Sequence, residues 1–435
     1  MDVPKMLSSG NKHSIVMDKY LKHYAEAEIN FLTTFPRQLN LNTALIIPAY
    51  REGPDFVTRL ICAAFSNRPN LYIIVINQPQ NDDDMQPQQL LNDTIFATGS
   101  CLWKCGNLSL IKIEKGESYF LIVNRFSASE RIPLKQGVGL ARKIGCDLAT
   151  LLYQQHLLSN NWLGSSDADA LLPTNYLDAL VNLSTQQQLS SAAVFDFEHI
   201  SAAAVNKVVI ADDSAEHSDE IASATLTYQR ALRYYVKGLK WAGSCYAFYT
   251  IGSLLAINIH SYCQVRGFPK RAAGEDFYLL NKLAKVGLIE SIADSKVLII
   301  SRLSDRVPFG TGPMVKKILQ SGNSSKFTYY SPHSFRELKE LLQSLDCLWA
   351  ERFRLSFWKN ELSLATKSAL MALHFFDFIQ TLSQQCKTEL QFNRQINQWF
   401  DAFKTLKYLN HLRDHYYDDE IIDDAIIELN QLIEK

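Results

Sequence analysis

The sequence predicts an α/β fold, a mainly parallel β-sheet flanked by helices, followed by an all-helical C-terminal extension. Three observations predict it. Short, unbroken apolar runs at residues 45–47 and 71–76 (LYIIVI) read as strands buried on both faces, the habit of parallel sheets. Segments with helical spacing, notably residues 137–158, separate such runs. From Ser334 onward there is no Gly and no Pro, and Leu, Phe, Gln and Lys abound, which reads as several packed helices.

Taken in order, residues 1–40 form a polar, helical lead-in. The run 45–47 stops at Pro48, and LYIIVI supplies the second strand. Weaker strands at 108–113 and 119–123 suit a hairpin turning through Lys115 and Gly116. The helical segment 137–158 leads to a strand at 162–166, a helix from about Thr174 and a strand at 192–197. Gly274 precedes the helix EDFYLLNKLAKVG, whose Leu279, Leu280, Leu283 and Val286 share one face, with Gly287 as its stop. A single core rarely grows past about 250–300 residues. The 435-residue chain is therefore expected to divide into the lead-in 1–40, an α/β domain 41–325 and a C-terminal helical module 326–435.

Composition narrows the function. With 47% apolar and 20% charged residues the chain is core-forming rather than disordered. Its 44 Lys and Arg against 45 Asp and Glu leave a net charge of −1, which argues against nucleic acid as a partner, since phosphate neutralisation needs a basic excess. The eight cysteines are scattered, as in a reduced cytoplasmic protein, and no apolar leader opens the chain. A cytoplasmic location, with room for peripheral contact at the membrane surface, is expected. Residues 241–265 carry no Asp, Glu, Lys or Arg and are long enough to span a bilayer. Ser244, Thr250, Ser253, Asn258, His260, Ser261 and Gln264 interrupt them, however, and a buried strand and helix are expected instead. The acidic end, with Asp418, Asp419, Glu420, Asp423 and Asp424, reads as a solvated helix face.

Four constellations can carry chemistry. In Ser165-Ser166-Asp167-Ala168-Asp169, at a strand end, carboxylates at i and i+2 project the same way from an extended chain and make a hard-oxygen site for Mg2+ or Mn2+. The same residues also suit a solvated turn. IIPAYRE (46–52) ends a buried strand and offers Tyr50, Arg51 and Glu52, although alone it is an ordinary turn. Glu275 and Asp276 open a helix, where its dipole favours acids in any case and a general base needs burial or a negative neighbour. Arg302 and Arg306, before Gly310 and Gly312, suit an anion or a surface salt bridge. There is no HExxH, no Cys-x-x-Cys, no P-loop and no Gly-x-Ser-x-Gly.

In order and spacing these pieces resemble a family-2-type glycosyltransferase of the GT-A (Rossmann-like) fold, over residues 41–310. IIPAYRE resembles the family's nucleotide loop, GVGLARKIGCDLA (137–149) its Gly-Ala-Arg helix, SSDADALLP (165–173) its DxD strand end, and VRGFPKRAAGEDFYLLNKL (265–283) its Gly-Glu-Asp segment. The resemblance implies Pro48, Tyr50 and Glu52 around the nucleotide and Arg142 near its phosphates. It implies Asp167 toward ribose or metal, Asp169 as the metal ligand, and Asp276, with Glu275 beside it, as the base for the acceptor hydroxyl. Arg302 and Arg306 would stabilise the departing diphosphate.

Departures matter. The second strand ends in Asn77-Gln78-Pro79 rather than an Asp-Asp-Gly-Ser-like run, so Asn77 stands where an acidic contact is usual. No His lies between His260 and His333, and no Gln-x-x-Arg-Trp motif is present. The missing Gln-x-x-Arg-Trp motif and membrane helices favour transfer of one sugar from a nucleotide-sugar donor to an acceptor of unknown identity over polymer export, and inversion is expected; the altered strand end and the absent His leave room for a non-catalytic protein. The C-terminal helices are expected to shape the acceptor site or a homodimer contact. A retaining transferase, a nucleotidyltransferase and a non-catalytic sugar-nucleotide-binding protein remain the alternatives.

Overall fold

The computed structural model describes residues 9–63, 68–186, 189–201, 218–303, 310–320 and 326–434. By internal contacts the chain forms two units. One comprises Met1–Val205 with Thr250–Gly310, the other Asn206–Tyr249 with Thr311–Lys435.

The first unit is built on a ten-stranded sheet. In chain order its strands are β1 (Ala44–Ala49), β2 (Leu71–Asn77), β3 (Gly99–Cys105), β4 (Leu108–Ile113), β5 (Tyr119–Arg125), β6 (Trp162–Ser165), β7 (Ala170–Leu171), β8 (Ser190–Ile200), β9 (Leu255–Asn258) and β10 (Leu288–Ile300). They lie side by side as β3-β4-β5-β2-β1-β6-β9-β8-β10-β7. The expected parallel sheet is the centre of this array: β5, β2, β1 and β6 are parallel neighbours, as are β8 and β10. The remaining pairings are antiparallel. Every residue of β1 and β2 is buried, which is why both read as unbroken apolar runs.

Helix α1 (Ser9–His23) is not a free lead-in. Its Tyr20 hydroxyl reaches the buried carboxylate of Asp147 on helix α4 (Gly137–Gln154). Asp147 also accepts from Lys143 Nζ (2.9 Å), Tyr262 (2.9 Å) and the Glu26 backbone (2.8 Å). Helix α4 in turn lies against β1, where a Cβ on Gly145 would come within 2.6 Å of the Ile46 side chain. The apolar stretch 241–265 resolves into a helix end at Trp241, strand β9 and a short helix Ile259–Gln264. Among the described residues no helix is long and apolar enough to cross a membrane.

The second unit is mostly helical, with one two-stranded pairing of Thr328–Tyr329 and Glu420–Ile421, and it includes the 24-residue helix Ser218–Trp241, which the sequence reading placed inside the α/β domain 41–325. Packing explains the difference: Ala224, Ala231, Tyr234 and Leu239 join Phe335, Leu338, Leu370, Phe392 and Tyr408 in one core. Buried Glu337 accepts from Thr366 (2.8 Å) and Tyr417 (2.8 Å) and ties two helices to the bend after the helix Ala402–His415.

Candidate active site

In the first unit the chain runs from β1 to β2 on one side, then returns through α4 to place β6 on the other. Open α/β sheets bind ligands at the carboxyl ends of strands where the order reverses in this way. Here that point lies beyond Ala49 of β1 and Ser165 of β6, which are parallel neighbours, and Ser166 N extends the ladder to Ile46 O at 3.0 Å.

Arg142 is the hub of the site. It sits on α4, is 2% exposed, and donates from Nε to Glu275 Oε1 (2.9 Å) and from Nη1 to Ser165 Oγ (2.7 Å), while Nη2 pairs with Asp167. Burial works against its charge, but Asp167 and Glu275 outweigh burial and keep the guanidinium cationic. Local backbone makes this close approach possible. A Cβ on Gly139 would lie 2.4 Å from Pro269 O, and one on Gly252 would lie 2.3 Å from Arg142 Nη2. Gly139 N donates to Arg271 O (3.0 Å), so the 269–274 loop rides on α4. Gly274 then turns with φ +70°, a conformation that suits glycine, and starts the helix Glu275–Leu283 with its two acids in the first turn.

Glu275 is 4% exposed, and Asp276 is partly exposed beside it. Burial of the carboxyl, reinforced by the negative Glu275, pushes Asp276 up to about 8, although the Phe277 N–H and Arg142 pull the other way. The dipole that would hold it acidic is therefore overcome by desolvation.

A second cluster faces the same strand ends. Arg302 pairs with Glu52 through both nitrogens (Nη2–Oε1 2.9 Å, Nη1–Oε2 3.2 Å), and its Nη2 lies 2.6 Å from Asp169 Oδ2. Topology explains the meeting. Strand β7 pairs antiparallel with β10, Ala170 opposite Ile299, so the residue before β7 faces the residues after β10. Asp167 also adds to the field at Arg302, which links the two clusters. Arg59, on the helix Asp55–Cys62, donates to Ala168 O (2.9 Å) and completes the charged surround.

The two aspartates do not sit on an extended strand end. Strand β6 stops at Ser165, and residues 167–170 form a turn closed by Ala170 N to Asp167 O at 3.2 Å. The i, i+2 argument for parallel projection therefore does not apply, and the two carboxylates meet different arginines. As a donor set they still suit Mg2+ or Mn2+, which take one or two carboxylates and fill the remaining shell with water and phosphate oxygens. Among the described residues no group of three or more His, Cys, Asp and Glu can hold a metal by itself.

Other expected contacts fall differently. Pro48 is buried within β1, in register with Val75. Asn77 is buried; with its amide nitrogen turned inward it donates to Val75 O (3.2 Å) and Ala49 O (3.3 Å), so it braces β1 and β2. The Tyr50 hydroxyl donates to Asp82 (2.7 Å), and Arg51 grips the same carboxylate from Nε (3.0 Å) and Nη2 (2.8 Å). Chiefly through Arg51, Asp82 is held down at about 2. Arg306 lies outside the described residues. Sequence reasoning did not single out Ser165 as a contact, nor Arg59, Asp82 or Gly252. Only the Gly and Arg residue types hint at these roles.

No protein-family profile and no curated protein matches the chain. Among solved structures it is similar to the mannosyltransferase PcManGT from Pyrobaculum calidifontis, in complex with GDP-Man and Mn2+. Identity is 14%, the match covers 91% of this chain and 96% of that one, and the TM-score is 0.35.

Proposed function

We propose that the chain is a GT-A-type glycosyltransferase of the family-2 kind, which moves one sugar from a nucleotide-sugar donor to an acceptor hydroxyl with inversion. One observation carries this reading. Asp167 and the adjacent pair Glu275 and Asp276, over a hundred residues away in sequence, gather around one buried guanidinium at the carboxyl end of the central strands. Asp169 and Asp167 would hold Mg2+ or Mn2+ together with the donor's diphosphate. When bound, that cation supplies charge to stabilise the leaving nucleoside diphosphate. Glu52 and Tyr50 border the nucleotide side, and Arg302 offers a two-pronged partner for phosphate oxygens. Asp276, once ionised, takes the proton from the acceptor hydroxyl; its raised pKa makes the carboxylate a stronger base and places the rise of transfer toward pH 8. Arg142 holds Glu275 and Asp167 in place, and the Phe277 N–H (2.7 Å) orients Asp276.

A thermal-shift screen of nucleotide sugars with and without Mn2+ tests the reading, since ligands that bind only the native state raise its stability. A metal-dependent rise with at least one donor is expected, lost in Asp169→Ala. Asp276→Asn should abolish transfer and keep donor binding. No shift with any nucleotide sugar, or transfer that survives in Asp276→Asn, would refute the corresponding step. The anomeric configuration of the product, read by NMR, decides inversion.

A further inference from the structure

The two site arginines are held in opposite ways. Arg142 is 2% exposed and fixed by Glu275, Ser165 and Asp167, beneath the site. The Arg302 side chain is 35% exposed, whereas its partners Glu52 and Asp169 are 12% and 20% exposed. Arg302 is therefore more open to solvent than the two carboxylates it pairs with. Arginine does not lose its proton in proteins, so this positive charge leaves Asp169 only by moving. A divalent cation approaching Asp169 meets a like charge. A diphosphate meets a fork that matches its oxygens, and it carries at least as much negative charge as the two carboxylates together.

Building on the reading above, we propose that Arg302 is a resident counter-ion that holds Asp169 and Glu52 until a diphosphate draws it away, so that the divalent cation and the nucleotide bind as mutually dependent ligands. Arg302 is thus a positioning residue with two stations, the carboxylates before the donor arrives and the phosphates after. By thermodynamic reciprocity the diphosphate tightens the cation as much as the cation tightens the diphosphate.

The test is a Mn2+ titration of the full chain, followed by the electron paramagnetic resonance of free Mn2+, alone and with saturating nucleoside diphosphates. For the natural sequence Mn2+ alone binds weakly, and one nucleoside diphosphate tightens it at least tenfold. Arg302→Gln binds Mn2+ alone at least tenfold more tightly than the natural chain and shows a smaller tightening by nucleotide. Adding Asp169→Asn to that variant removes the gain, which places the ion at Asp169. Arg302→Lys retains the charge without the fork and stays within about threefold of the natural chain for Mn2+ alone. Equal Mn2+ affinity in the natural chain and in Arg302→Gln overturns the counter-ion proposal while leaving the transferase reading intact. An equal gain in Arg302→Lys overturns it as well. Failure of every nucleoside diphosphate to bind any folded variant, with or without Mn2+, overturns the transferase reading and with it this one.

Discussion

Replacing Arg142 by Met tests whether the site is organised around one buried charge. The side chain is removed from a position that is 2% exposed, where it pairs with Glu275, 6% exposed at its side chain, and Asp167, 36% exposed. Asp167 can regain water and contributes little to the loss. Glu275 cannot, and breaking a buried pair by deleting one partner costs about 3–5 kcal/mol, because a charge is left without compensation. Ser165 Oγ loses a hydrogen bond worth about 1 kcal/mol in addition. At about 2 °C per kcal/mol for a unit of this size, the melting temperature should fall by about 8–12 °C. Calorimetry with circular dichroism measures it. Adding Glu275→Gln to Arg142→Met should recover part of the loss, because the orphaned charge is gone. A fall of less than about 2 °C in the single variant, or a double variant no more stable than the single one, would refute the argument.

Three further outcomes follow from the same geometry. Asp276 holds its proton in the folded protein up to about pH 8, whereas the unfolded chain releases it near pH 4. Stability attached to this group is thus complete below about pH 4 and is lost as pH rises toward 8, so Asp276→Asn should gain on the natural chain across that window in melts run from pH 5 to 9. Gly252→Ala places a methyl 2.3 Å from Arg142 Nη2, and should lower the melting temperature in the natural background but much less in Arg142→Met, where the clash is gone. Asp147→Ala leaves Lys143, 5% exposed, with the Tyr20 hydroxyl and the more distant Glu26 (3.8 Å), and should cost about 3 kcal/mol in urea titrations, with Tyr20→Phe costing less because the Lys143–Asp147 pair survives.

What could be read from the sequence follows burial. LYIIVI announced β2 because both of its faces are covered, so apolar residues stand without a break. GSCLWKC, strand β3, and LIESIADSKVLII, strand β10, were not read. The first is largely exposed and the second alternates polar positions and slips register against β8 between Ile292 and Lys296, so neither shows a clean period. The helix Ser218–Trp241 was not read as an element, and its membership of the C-terminal core depends on packing with Phe335 and Leu338 that no local pattern encodes. The carboxylates of the candidate site were legible because Asp and Glu beside a buried strand or at a helix start are conspicuous. Their partners were not. That Arg302 meets Asp169 follows from the antiparallel pairing of β7, two residues long, with β10, and a strand that short leaves no mark in composition.

The turn at 167–170 changes what the aspartate pair can do. On an extended strand both carboxylates would point one way by backbone geometry alone and would form a ready chelate. Here the chain turns after Ser165, and each carboxylate takes its direction from a different arginine. Asp167 is anchored, because Arg142 is locked by Glu275 and Ser165 and by the absence of a side chain at Gly252. Asp169 pairs with Arg302, which Glu52 in the loop after β1 also grips. Convergence of the two aspartates on one ion therefore depends in part on Arg302, and through it on Glu52. Glu52→Gln should in consequence weaken the grip on Arg302 and raise Mn2+ affinity in the nucleotide-free protein, an effect that a carboxylate serving only as a ribose contact would not produce.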